Sequence, residues 1–178
     1  RLSFLDLSAA GRQPMPSEDE RLWLTLNGEI YNHRELRGQL QARGHRFRSS
    51  CDAEVVLHGY EEWGIDVLQR LNGMFAFALW DDSTRELLLA RDRFGIKPLY
   101  YFSDSERLLF ASEAKGLLAH PAMRREVDWS ALCDFLVYRY VPSPKCIWKG
   151  LAKLPPACWL RLGQRGEARV QEYWTLPP

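Results

Sequence analysis

The sequence has no long hydrophobic run, no excess of charge of one sign and little cysteine. Its longest uninterrupted apolar stretch runs from Met74 to Trp80, far short of the roughly 20 residues that cross a bilayer, and no signal-like apolar region opens it. Lys and Arg number 24 against 23 Asp and Glu. The two signs are interleaved, so there is no basic stripe to follow phosphates and no polybasic anchor for a lipid surface. Nucleic acid and membrane are set aside as partners, and a cytoplasmic protein is expected. Cys51, Cys133, Cys146 and Cys158 show no C-x-x-C spacing and no nearby His in a ligand pattern. Neither a zinc site nor a disulfide framework is indicated; reduced, core-buried thiols are the expectation. Repeats and low-complexity tracts are also missing. What the chain does have is core material: of 178 residues, 46% are apolar or aromatic, enough for one domain with a sizeable core.

The ends point beyond themselves. Residue 1 is Arg, and Leu2 to Leu7 reads as a strand already under way, so a piece of a longer chain is expected. Near the other end a strand runs through Tyr173 and Trp174 into Pro177 and Pro178, which cannot extend a ladder and often open a linker. A further domain is expected to follow.

Strand signals recur at Leu22 to Leu26, Met74 to Trp80, Glu86 to Arg91, Leu99 to Phe102, Arg107 to Ala111, Cys158 to Leu162 and Ala168 to Trp174. Polar turns of hairpin length at 81–85, 103–106 and 163–166 separate apolar runs and favour antiparallel neighbours. Helical periodicity appears at Asn32 to Arg43, Glu54 to Trp63, Asp66 to Leu71 and Trp129 to Tyr138. Helices and hairpins are segregated, which argues for an α+β fold and against a doubly wound parallel sheet.

Four segments carry unusual polar density. In the first, the run Leu22 to Leu26 ends in Asn27-Gly28-Glu29 and a helix starts soon after, with Asn32 and Glu35 at the spacing of a capping box. The segment reads as a tight turn at the mouth of a strand, offering an amide, an unshielded backbone N–H and an anion. In the second, Asp52 opens a helix, as an N-cap, a ligand or both. The third, Arg91 to Tyr101, reads as a turn held by ion pairs. The fourth, Phe110 to Lys115, reads as structural. His33, His45, His58 and His120 show no partner pattern and read as surface or capping residues.

Taken in order, these segments resemble the glutamine-amidotransferase domain of glutamine-hydrolysing asparagine synthetase, a class II amidotransferase of the N-terminal-nucleophile hydrolase superfamily. The likeness runs from Arg1-Leu2-Ser3 and Asp6-Leu7-Ser8 through Gln13-Pro14-Met15, Asn27-Gly28-Glu29-Ile30-Tyr31-Asn32 and Leu71-Asn72-Gly73-Met74-Phe75-Ala76-Phe77-Ala78. It continues with 91–101, Phe110-Ala111-Ser112-Glu113, Val141-Pro142-Ser143-Pro144, Lys153-Leu154-Pro155-Pro156 and Tyr173-Trp174. Several ordered motifs coincide where any single one is weak.

The resemblance implies a four-layer αββα sandwich of two antiparallel sheets, here lacking its first strands. It implies an amidotransferase domain over 1–174 and the start of a linker to an absent synthetase domain at 175–178. Arg1 would pair with the α-carboxylate of glutamine, Glu29 and Asp52 would hold its α-ammonium, and the Asn27 amide with the Gly28 N–H would form the oxyanion hole. The family nucleophile is an N-terminal cysteine activated by its own α-amine, and the sequence holds none. Cys51 lacks a free amine, and a carboxylate neighbour raises a thiol's pKa. No cofactor is implied in this domain; ATP and magnesium belong to the synthetase half, whose Ser-Gly-Gly loop has no counterpart here.

Implied partners are glutamine and the synthetase domain, with a homodimer admitted. The implied function is glutamine hydrolysis that supplies ammonia for amidation of aspartate, and the fragment alone is expected to be inactive. Two alternatives stay open: amidation of another acceptor, as in exopolysaccharide-associated relatives, and a non-catalytic module that lost its nucleophile.

Overall fold

The computed structural model describes residues 9–163 and 168–176. Arg1, the expected strand Leu2 to Leu7, most of the 163–166 turn and Pro177-Pro178 lie outside them.

Strand β2 (Leu22–Ile30) alternates as a half-covered strand should. Leu22, Leu24, Leu26 and Ile30 are buried on one face, while Thr25, Asn27 and Glu29 stand on the other. Its neighbour β3 (Gly73–Asp81) is apolar from Met74 to Trp80 because both of its faces are covered. Phe75, Phe77 and Leu79 pack toward α1 (His33–Gln41) and α2 (Ala53–Trp63), and Ala76 and Ala78 toward a second sheet. Each fully buried Leu or Phe contributes about 1.5–3 kcal/mol relative to exposure.

The larger sheet has the order β1-β2-β3-β4-β8-β9, adding β1 (Met15–Pro16), β4 (Glu86–Arg91), β8 (Cys158–Leu162) and β9 (Ala168–Glu172), with every pairing antiparallel. Between β4 and β8 the chain builds a smaller antiparallel sheet, order β6-β5-β7, from β5 (Tyr100–Ser103), β6 (Leu108–Ala111) and β7 (Ala152–Lys153). Leu89, Leu99, Leu154 and Leu160 fill the space between the sheets. On the far side, Leu117 of α4 (Ala114–Leu118), Cys146 and Leu151 pack with Tyr100, Phe102 and Leu109. The layers run helix, sheet, sheet, helix, which is the expected four-layer α+β sandwich. A short helix α3 (Val67–Arg70) and the helix α5 (Trp129–Tyr138) complete the α-helices among the described residues, the latter capped by Asp128, which accepts from the Ser130 and Ala131 N–H groups.

Several local expectations fail because distant backbone outcompetes nearby partners. Asn27-Gly28 forms no turn; β2 continues through it to Ile30, opposite Gly73. Asn32 and Glu35 form no capping box. The Asn32 amide instead donates to the Arg70 carbonyl at 2.9 Å and accepts from the Asn72 N–H at 2.9 Å, mimicking a peptide against the approach to β3. Asp52 caps no N–H of its own helix.

The charged segment after β4 contains no ion pair among the described residues. Asp92, only 1% exposed, accepts from the N–H groups of Phe75, Phe94, Ile96 and Lys97. The Arg91 guanidinium donates to the carbonyls of Lys97, Leu154 and Gly95. The charges hold backbone, and the loop they shape leaves Phe94 and Ile96 exposed. Tyr173 ties down the same corner by donating to the Arg91 carbonyl at 2.9 Å, its hydroxyl pKa raised by burial.

Cys51, Cys146 and Cys158 are buried, but Cys133 is exposed on α5, contrary to the core reading. That helix leaves Phe135, Leu136, Val137 and Tyr138 open to solvent. Among the described residues no helix is long and apolar enough to cross a membrane.

Candidate functional site

In an antiparallel pair, consecutive residues send their N–H groups to opposite sides of the strand. Along β2 the odd residues face β3, as the bonds Tyr31 N–H to Asn72 and Asp82 N–H to Arg21 fix at either end. The even residues face the other edge. There the Leu22 N–H donates to Ser17 Oγ, the Leu26 N–H to Gln13 Oε1, and the Ile30 N–H to Asp52 Oδ2 at 2.7 Å. Gly28 lies between Leu26 and Ile30 on that edge, and among the described residues no side chain accepts from its N–H. The strand therefore presents one open donor, flanked by an amide oxygen on one side and a carboxylate on the other.

Glycine is required there for steric reasons. Gly28 has φ +147°, and a Cβ would stand 2.0 Å from the Met74 carbonyl oxygen and 2.7 Å from the Phe75 Cα. The Asn27 side chain leaves the same stretch of strand toward the inter-sheet space, where Nδ2 donates to Ser112 Oγ at 3.1 Å. It borders a cavity of about 170 Å³ lined also by Gln13, Thr25, Phe110 and Ser112. Glu29 shares the Asn27 face two residues on, and among the described residues nothing pairs with its carboxylate. Asp52 is 6% exposed at the start of α2 and also receives the Cys51 thiol at 3.6 Å.

Of the five residues expected at a glutamine site, Asn27, Gly28 and Glu29 are consecutive on β2, with the Asn27 and Glu29 side chains on the face toward the second sheet, and Asp52 reaches the free edge of the same strand at Ile30; Arg1 lies outside the described residues. Sequence reading missed Gln13 and Ser112. Both stood inside the motifs that carry the resemblance, but only the register across the sheets brings them to Asn27.

The histidine reading needs correction. His58 is 4% exposed, with Nδ1 2.9 Å from Glu61 Oε2. Burial by itself lowers its pKa, but hydrogen bonds to Glu54 and Glu61 outweigh that and raise it to about 9. His45 also has partners, whereas His120 caps the Ala122 N–H as expected.

The α+β sandwich of two antiparallel sheets matches the folds of solved enzymes. Glutamine phosphoribosylpyrophosphate amidotransferase from Bacillus subtilis superposes with a TM-score of 0.62 at 23% identity, over 93% of this chain and 32% of that one. An allosteric regulatory enzyme of purine biosynthesis gives 0.62 at 21%, over 97% and 34%. These likenesses establish the N-terminal-nucleophile hydrolase type of fold. The chain belongs to the glutamine amidotransferase domain family, whose model matches residues 1–174.

Among curated relatives, the chain is 39% identical over 179 residues to asparagine synthetase (glutamine-hydrolyzing) 3 of Bacillus subtilis, covering 99% of this chain and 29% of that protein. It is 46% identical over 182 residues to asparagine synthetase (glutamine-hydrolyzing) 2 of the same organism, covering 99% and 24%. A putative asparagine synthetase of Mycobacterium tuberculosis strain H37Rv is 44% identical over 185 residues, covering 99% and 28%. The chain spans less than a third of the length of each.

Proposed function

We propose that residues 1–174 are the glutaminase part of a longer asparagine-synthetase-like protein, with 175–178 opening a linker. The open Gly28 N–H beside Asn27 and Asp52 carries this reading, because a strand-edge donor next to a side-chain amide is the arrangement that an oxyanion needs. Arg1 pairs with the substrate α-carboxylate, while Glu29 and Asp52 receive its α-ammonium. The Asp52 carboxylate has lone pairs to spare beyond the Ile30 N–H and the Cys51 thiol.

The nucleophile is an N-terminal cysteine outside this sequence. Its thiolate attacks the carboxamide carbon, the oxyanion rests on Asn27 and Gly28, and the tetrahedral intermediate expels ammonia as the α-amine returns the proton. Water then cleaves the thioester to glutamate. Cys51, buried and turned to Asp52, is not that thiol. Ammonia passes to a synthetase domain, which uses ATP and magnesium to amidate aspartate in the cytoplasm.

In the full-length protein, Asn27→Ala is expected to lower the kcat for glutamine hydrolysis by about 10²–10³-fold, with KM moving much less. Glutamate release within threefold of the parent enzyme would overturn the oxyanion assignment. Glutamate released above a blank by the 178-residue chain alone would overturn the assignment of the nucleophile to a residue outside it.

A further inference from the structure

A second constellation lies on α2, away from the strand edge. Glu54, His58, Glu61 and Glu62 follow one another at near-helical spacing, and the segment after α1 lays His45 against them. His45 Nδ1 stands 3.3 Å from His58 Nδ1, His58 Nδ1 stands 2.9 Å from Glu61 Oε2, and Glu61 Oε2 stands 3.6 Å from His45 Nδ1. Ligand atoms on a tetrahedral zinc ion, with bonds of about 2.0–2.2 Å, lie about 3.3–3.5 Å from one another. With sides of 2.9, 3.3 and 3.6 Å the triangle approximates one face of that tetrahedron, and shifts of a few tenths of an ångström would close the fit.

The second ring nitrogen of His45 is within hydrogen-bond distance of a carboxylate, as in many metal-bound imidazoles, while that of His58 faces one at the longer distance of an ion pair. His45 Nε2 is 3.2 Å from Glu62 Oε2, and His58 Nε2 is 3.7 Å from Glu54 Oε1. Glu54 is itself fixed by the N–H groups of Arg48 and Ser49 and by the Ser49 hydroxyl, and the Phe47 ring packs edge-on against His58 at 4.6 Å. The cluster borders a cavity of about 330 Å³ whose other charged walls are Glu18, Asp19, Arg43 and Arg46. Arg43 pairs with Glu62 at 3.1 Å, and water can reach the cluster from the cavity side.

We propose that His45, His58 and Glu61 bind one divalent transition-metal ion, with its fourth position open to the cavity. Two imidazoles and one carboxylate suit zinc, cobalt, nickel or copper, whereas magnesium and calcium call for oxygen ligands. The ion pins the segment after α1 to the middle of α2, the helix whose first turn carries Asp52 to the strand edge. Its role is structural, and it stands independently of the glutaminase reading. It rests on residues outside the cysteine spacing from which no zinc site is indicated.

The chain, stripped with EDTA and dialysed, is titrated with zinc chloride by calorimetry and with cobalt chloride by visible absorption. Expected are one zinc per chain with Kd at or below about 10 μM at about pH 8, the intense absorption bands of tetrahedral cobalt, and a rise in Tm with zinc. Glu61→Gln, a partly exposed position that keeps the helix, is expected to weaken zinc by about 100-fold, and Glu62→Gln by about 10-fold or more through its hold on His45. His120→Gln leaves binding as it was. Saturable zinc binding absent or weaker than about 100 μM, zinc binding that survives both His45→Gln and Glu61→Gln, or magnesium binding as tightly as zinc overturns the proposal.

Discussion

Gly28→Ala is expected to remove most of the stability of the domain. The added carbon falls 2.0 Å from the Met74 carbonyl oxygen and 2.9 Å from its carbonyl carbon, both backbone atoms of the neighbouring strand. No rotamer change relieves a backbone clash. The φ of +147° compounds the problem, since alanine adopts that region only under strain. The pairing that must open is the longest among the described residues, from Leu22 opposite Asp81 to Ile30 opposite Gly73, and it includes Phe75 and Phe77, whose side chains are buried in the core. A cost of about 4 kcal/mol or more is expected, at the extreme of single substitutions. Urea denaturation followed by circular dichroism measures it, and a midpoint near that of the parent chain would show that β2 and β3 can part locally at no great cost.

Asp92→Ala is the second large effect. One carboxylate satisfies four backbone N–H groups, those of Phe75, Phe94, Ile96 and Lys97. A buried donor left without a partner costs about 1–3 kcal/mol, and several deprived together do not add in full, so a loss of about 3 kcal/mol is expected. Asp92→Asn should do little better, because its NH₂ faces donors and only one oxygen remains to accept. The loop itself supplies the sharper readout. Amide hydrogens of Ile96 and Lys97 should exchange at least about tenfold faster in Asp92→Ala, through local opening, than in the parent chain. Unchanged exchange at those two amides would mean that the Arg91 guanidinium alone shapes the loop through the carbonyls of Gly95, Lys97 and Leu154.

Much of the fold was legible in the sequence because its burial pattern is local. The alternation Leu22, Leu24, Leu26 specifies a half-covered strand, Leu36 and Leu40 specify one helical face, and the unbroken run from Met74 to Trp80 specifies a strand covered on both sides. Where the reading failed, a short-range preference lost to a long-range bond. Asn-Gly favours a turn, yet nine residues of cross-strand pairing carry β2 through it. Asn32 and Asp52 are good cap residues by type, but one bonds the chain at Arg70 and Asn72 and the other bonds Ile30, and both contacts span more than twenty positions in sequence. The charges of 91–97 were visible, but their partners are carbonyl and amide groups that carry no sequence identity.

The candidate site divides along the same line. Its residue types were named from motif order, and Glu54, His58 and Glu61 on one helix offered a local signal for the second cluster that the reading passed over. The approach of Ser112 to Asn27, 85 positions away, and of His45 to His58 had no such signal.

Sequence alone determined which residues would be covered and on which element, since side-chain hydrophobicity and its period are properties of neighbours along the chain. Only the tertiary structure decided which polar groups remain unspent, because that depends on register. A one-residue slip of β2 would turn the Gly28 N–H into the ladder and leave Asp52 facing a different amide.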